Sequence, residues 1–102
     1  MTIPTQLVLE ILLSEPERER YGYEIGETAG LASGTVHPIL ARLESLGWVE
    51  SRWEDVDVST AGRPARRYYR LADDGRAAAR AALMRAYRPR RPRQASPLPG
   101  SA

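Results

Sequence analysis

Arginine is the residue of this chain best equipped for chemistry, and it is clustered. Arg63, Arg66 and Arg67 fall in the segment Gly-Arg-Pro-Ala-Arg-Arg. A guanidinium carries a rigid fork of donors that matches phosphate oxygens. The cluster suits gripping a nucleic-acid backbone or entering a minor groove. It equally suits a solvated hairpin with Glu50 and Glu54 as cross-strand partners. Upstream, Ser33, Gly34, Thr35, His37, Pro38 and Arg42 are small, polar or basic, with no acid among residues 33–42. The first turn of a helix at Ser33 could be capped by that serine and still offer N–H groups to phosphate. His37 reads as a base-edge contact, a helix-surface residue or a pH switch. Arg42 reaches phosphate or guanine, or is merely solvated. Tyr21 and Tyr23 could hydrogen-bond a nucleic-acid backbone, and Tyr23 fits a core equally well.

Other chemistries find little support. The chain has 102 residues, the size of one domain, with no cysteine and one histidine. A disulfide framework, a thiolate or His-rich metal site and a cysteine nucleophile are excluded. No serine or carboxylate is spaced to form a triad with His37. An enzyme, a cofactor and a metal are therefore not expected. The longest apolar run, Leu7 to Leu13, is broken by Glu10 and falls far short of the ~20 residues of a membrane span. No signal peptide is read, so the expected setting is cytoplasmic, with no membrane partner.

Charge points to a polyanion. The 15 basic residues are all arginine and the 13 acidic ones leave a formal charge of +2. Residues 1–62 carry 4 arginines and 11 acids, net −7; residues 63–102 carry 11 arginines and 2 acids, net +9. Such asymmetry indicates an acidic partner for the basic part. Lysine, asparagine and phenylalanine are absent while alanine reaches 14, a bias that fits a GC-rich genome.

Periodicity supplies the elements that must position these residues. Leu7, Val8, Ile11 and Leu12, widened by Ile3, Leu9 and Leu13, predict a helix over 3–14 covered on more than one side. Ser14 to Arg20 is a charged turn. Tyr21 to Ala29 is a second helix with Gly30 past its end. Gly22, Gly26 and Gly30 recur every four residues, which close packing or capping explains. After Leu31 and Ala32, Ser33 is the expected N-cap of a third helix carrying Val36, Ile39, Leu40, Leu43 and Leu46, closed by Gly47. Pro38 requires that helix to start near Gly34 or to distort. Trp48 to Glu54 and Arg66 to Leu71 read as strands of a hairpin around a loop over 55–65. The period of two puts Tyr69 and Leu71 on one face, Arg66, Tyr68 and Arg70 on the other. Trp48 and Trp53 are expected in the hairpin core or an interface, with an effector pocket between subunits as the alternative. Asp73 or Asp74 should cap a last helix running to about Tyr87, where Ala79, Leu83, Met84 and Tyr87 would pack a dimer interface. Pro89 stops it, and residues 89–102 form a Pro/Arg tail expected to be disordered.

The predicted class is mainly α with a small β-hairpin: a winged helix-turn-helix over 1–72 and a C-terminal dimerisation helix over 73–88. The third helix fits a major groove. The stretch YGYEIGETAGLASGTVHPILARLESLGWVESRW, followed by GRPARRYYRLADDGRAA, resembles the PadR-like transcriptional regulators from Leu7 to about Ala82. The resemblance rests on Gly-Tyr-Glu-Ile in the second helix and on Gly34-Thr35, Pro38, Leu40 and Arg42-Leu43-Glu44 in the third. It continues through Gly47, Gly62-Arg63-Pro64, Tyr69-Arg70-Leu71 and Gly75. It implies a homodimeric regulator of double-stranded DNA, most often a repressor on pseudo-palindromic operators, and in some members a response to a small aromatic or drug-like effector. Two positions depart from the pattern: His37 stands where tyrosine is common, and Ala72 where threonine usually precedes the last helix. The alternative from another class is a winged-helix protein-interaction module using the basic wing on an acidic partner.

Overall fold

The computed structural model describes residues 1–87. Helix α1 (Ile3–Ser14) starts at Thr2, whose hydroxyl accepts from the Thr5 amide, with Pro4 in the first turn where its missing N–H costs nothing. Strand β1 (Arg20–Tyr21) leads into α2 (Gly22–Ala29), and α3 (Ser33–Ser45) follows. Strand β2 (Val49–Trp53), the short helix α4 (Val58–Ala61) and strand β3 (Arg67–Leu71) form the hairpin, and α5 (Arg76–Tyr87) closes the described chain. The predicted tail over 89–102 lies outside the described residues.

Two helix ends explain themselves. Gly30 and Gly47 both have positive φ, +72° and +79°. At the end of α3 the Trp48 amide donates to the Leu43 carbonyl and the Gly47 amide to the Glu44 carbonyl. This left-handed glycine cap satisfies carbonyls the helix leaves open and turns the chain sharply into β2.

One core gathers every layer. Val8, Leu9 and Leu12 of α1 meet Ile25 of α2, Val36, Leu40 and Leu43 of α3, Val49, Tyr69 and Leu71 of the sheet, and Ala79 and Leu83 of α5. Helix α1 is the hub, packed against α2, α3, α5 and β3, which accounts for an apolar stripe wider than one face. Gly75 closes the fold: a Cβ there would lie 2.5 Å from the Trp48 Cα and 2.6 Å from the Gly47 carbonyl oxygen. Only glycine lets the start of α5 pass the end of α3 that closely.

Several expectations need correction. The hairpin is widened to three antiparallel strands in the order β1-β3-β2, with Arg20 opposite Tyr69 and Tyr21 opposite Tyr68. A two-residue strand has no periodicity of its own, so only its pairing reveals it. The N-cap of α3 is Ala32, without a side-chain cap bond, and Ser33 is its first helical residue. Pro38 sits inside α3, whose start at Ser33 is close to the Gly34 start the proline called for. It cannot donate to the Gly34 carbonyl, and Gly34 is exposed, so water can serve that oxygen. The presumed loop holds α4, capped by Asp57, which accepts from the Ser59 amide. Neither Asp73 nor Asp74 is seen capping α5: the Ala79 amide donates to the Gly75 carbonyl, and Asp73 accepts instead from Arg76.

Candidate nucleic-acid interface

Helix α3 buries Val36, Leu40 and Leu43. Its outer side therefore carries Ser33, Gly34, Thr35, His37, Pro38, Ala41, Arg42 and Ser45, all exposed and none acidic. One shoulder of that side touches α2. The His37 Nδ1–H donates to the Ser33 carbonyl at 3.0 Å, and the ring rests on Gly22, where a Cβ would come within 2.9 Å of Nε2. The other shoulder borders α1. There Thr5, Pro38, Ile39, Arg42, Leu46 and Trp48 line an open groove of about 780 Å³. Arg42 has no carboxylate partner among the described residues, so its guanidinium is available to an outside anion.

The wing arginines are less free than their sequence suggests. Both terminal nitrogens of Arg63 bind the Glu54 carboxylate, at 2.7 and 3.0 Å. The Arg66 amide donates to the same carboxylate at 3.2 Å. These donors hold the Glu54 carboxyl down at about 2. Arg67 donates through Nε and Nη2 to the Ser51 hydroxyl at 3.1 and 2.9 Å and lies 3.6 Å from Glu44. Arg70 pairs with Glu50 at 2.6 Å. Among the described residues, Arg66 alone of the wing set has no carboxylate on its guanidinium, which lies 4.3 Å from the Tyr21 ring centre.

Strand alternation sorts these groups by face. Trp53 stands opposite Arg67, Ser51 opposite Tyr69 and Val49 opposite Leu71, on the face that continues the core. The other face carries Tyr21 and Tyr68 edge to face at 6.0 Å, with Arg52 and Arg66 against their rings. Arg52 is clamped by Glu19 at 2.6 and 2.8 Å, and the Glu19 carboxyl is lowered mainly by that hydrogen bond. The second tyrosine of the predicted set, Tyr23, is exposed rather than in the core.

Sequence reasoning missed the groups that join the parts. Glu44, near the end of α3, accepts from the Ser51 hydroxyl at 2.7 Å. Glu44, Ser51 and Arg67 thus tie the third helix to the wing, and Glu54 ties the wing loop to β2. The strand alternation hinted at Ser51 facing α3, but nothing in the sequence paired it with Glu44. The dimerisation set also divides. Ala79 and Leu83 are buried in the protomer's own core, while Met84 and Tyr87 are exposed. The Tyr87 hydroxyl donates to the Glu10 carboxylate of α1. Among the described residues no helix is long and apolar enough to cross a membrane.

Known proteins share this arrangement. Residues 8–81 match the Transcriptional regulator PadR-like family. The chain is similar to AbfR of Staphylococcus epidermidis, with 28% identity, a TM-score of 0.63, and coverage of 85% of this chain and 53% of that one. Reduced AbfR bound to DNA matches at 29% identity and a TM-score of 0.63, covering 84% of this chain and 57% of that one. The chain thus spans just over half the length of AbfR. A possible transcriptional regulator from Methanosarcina mazei Go1 shares the fold, with a TM-score of 0.64, 15% identity, and coverage of 85% and 70%. No curated protein matches. With 74 of its 102 residues inside the family match and winged-helix regulators as its structural neighbours, the chain belongs to the Transcriptional regulator PadR-like family, whose members regulate transcription and are not enzymes.

Proposed function

We propose that the protein is a repressor that binds a pseudo-palindromic operator in double-stranded DNA as a homodimer and is released by a small aromatic or drug-like effector. The observation that carries the reading is the outer side of α3, exposed and acid-free from Ser33 to Arg42, with Arg42 free of a carboxylate partner among the described residues and the wing tied beside it through Glu44 and Ser51. AbfR, similar over most of this chain, has been seen bound to DNA, which supports the same partner here.

In this reading α3 enters the major groove, about 12 Å wide. Gly34, Thr35, Pro38 and Arg42 face base edges and phosphates. Arg66 and Tyr21 meet backbone at the start of α2, Tyr23 reaches a neighbouring phosphate, and His37 holds α2 against α3. Arg63 and Arg67 shape the wing first and touch DNA second. Met84, exposed on α5, meets the second copy. Hydroxyl-radical footprinting on the DNA upstream of the protein's own gene tests this. Two protected patches about one helical turn apart are expected. A single patch, or uniform protection, contradicts the dimeric operator.

A further inference from the structure

We propose that Trp53 is a DNA-contacting side chain: an exposed ring on the wing that seats on the deoxyribose edge of the duplex beside the groove α3 enters. The inference rests on the DNA-binding reading above and adds a partner for a residue that reading leaves unused.

Three observations carry it. First, Trp53 lies where the core face runs out of protein. Val49 and Leu71, at the near end of that face, are buried, and Tyr69 beside Ser51 is nearly so. Helix α3 covers the face as far as Ser51, where Glu44 takes the serine hydroxyl. One residue pair further out, Trp53 is 62% exposed. A strand face that is apolar inside continues as an apolar ring outside, on the same side as α3.

Second, one guanidinium is fixed beside its ring. Arg67, directly opposite on β3, places its guanidinium 5.3 Å from the ring centre. That guanidinium is itself held by the Ser51 hydroxyl. The ring is thus fixed beside a positive charge instead of swinging free. A cation over a tryptophan face is a stable pairing, and it leaves the ring edge open.

Third, among the described residues Trp53 is the one aromatic ring on this face of the strands that is exposed, Tyr69 being buried. A protein interface needs a contiguous apolar patch of several hundred Å², whereas Trp53 is flanked along β2 and β3 by Arg52, Glu54 and Arg67. One apolar ring with a cation beside it instead matches a sugar next to its phosphate. Apolar side chains are common where proteins meet a minor groove.

The test uses the full chain and the DNA fragment it protects, with binding followed by fluorescence anisotropy across a range of salt. Trp53→Ala should weaken binding roughly tenfold, by loss of buried apolar area, while the slope of affinity against salt stays unchanged, because no phosphate contact is removed. Trp53→Phe should recover most of the loss. A second measurement needs no loss-of-function variant. In Trp48→Phe, Trp53 is the only tryptophan, and its emission should shift on adding the fragment. Unaltered affinity in Trp53→Ala together with unaltered emission in Trp48→Phe overturns the proposal, as does an emission change that follows protein concentration without DNA, which assigns the ring to a second copy. Either leaves the regulator reading intact. That reading fails separately, if the unaltered protein shows no preference for the fragment.

Discussion

The imidazole of His37 occupies the space that a side chain on residue 22 would fill. Its Nδ1–H is bonded to the Ser33 carbonyl, and a Cβ at Gly22 would lie 2.9 Å from Nε2. The glycine that opens the second helix and the histidine on the third are therefore one joint, and they set how α2 and α3 cross. Gly22→Ala should cost about 1 kcal/mol, within the usual range for overpacking. The cost should vanish in a His37→Ala background, where nothing is left to collide. Denaturant midpoints of the four proteins check this; a cost that persists without the imidazole places the strain elsewhere.

Gly75 admits no such relief. Its neighbours are the backbone of Gly47 and Trp48, at 2.5–2.9 Å from an added Cβ, and backbone cannot step aside as a side chain can. Gly75→Ala should lower unfolding free energy by about 3 kcal/mol, the upper part of the overpacking range. An unchanged melting curve would show that α5 can lift away from α3 freely.

Arg42 and Arg63 should behave differently although both are arginines near the proposed DNA surface. Arg42 has no internal carboxylate, so Arg42→Ala should flatten the dependence of log affinity on log salt by about one unit with stability unchanged. Arg63 holds Glu54. Its removal should lower stability, by freeing the wing loop from β2, and should change the salt slope less. Equal slopes for Arg42→Ala and the unaltered protein would take Arg42 off the contact surface.

The same ion pair has a pH signature. The Glu54 carboxyl is depressed from its ordinary 4.5 to about 2, first by the Arg63 hydrogen bond and further by the Arg66 amide. A depressed carboxylate stabilises the fold above its unfolded value and loses that contribution as pH falls through the folded one. The advantage of the unaltered protein over Glu54→Gln should hold at pH 5 and above and shrink between about pH 4.5 and 2. Thermal melts of both proteins across that window measure it. A constant difference down to pH 2 would mean the carboxylate is not held by its charge.

Helix α5 carries two tasks on two faces. Leu83 is 6% exposed and part of the core, while Met84 is 52% exposed. Leu83→Ala should cost about 2–5 kcal/mol of protomer stability. Met84→Glu should leave the protomer folded and shift sedimentation from dimer to monomer. A dimer that survives Met84→Glu would move the second copy off this face.

The sequence made the scaffold legible wherever an element carries its own period. The stripes of α1 and α3, the glycines at 30 and 47 and the alternation of β3 all lie where they were predicted, within a residue or two. What it hid depends on distant partners. Arg20 and Tyr21 become a strand only because β3 offers them an edge. Four residues of α4 are too few to show a period. The arginine cluster of the wing pointed at Arg63 and Arg67, yet their carboxylate and hydroxyl partners lie 9 and 16 residues away along the chain. Arg52 and Glu19 are separated by 33. Counting charges by segment therefore overstated how much of the wing is free; among the described residues, Arg42 on α3 and Arg66 beside Tyr21 emerge without a carboxylate partner only once the ion pairs are drawn.

The central claim is that the acid-free side of α3 reads DNA sequence. The most direct measurement is an anisotropy titration of the protein with the fragment upstream of its own gene against a scrambled duplex of equal length and composition, at low and moderate salt. Tighter binding to the upstream fragment is expected at both salts, with affinity for each falling steeply as salt rises. Equal affinity for the two duplexes would contradict it and leave the basic wing to a partner that is not read by sequence.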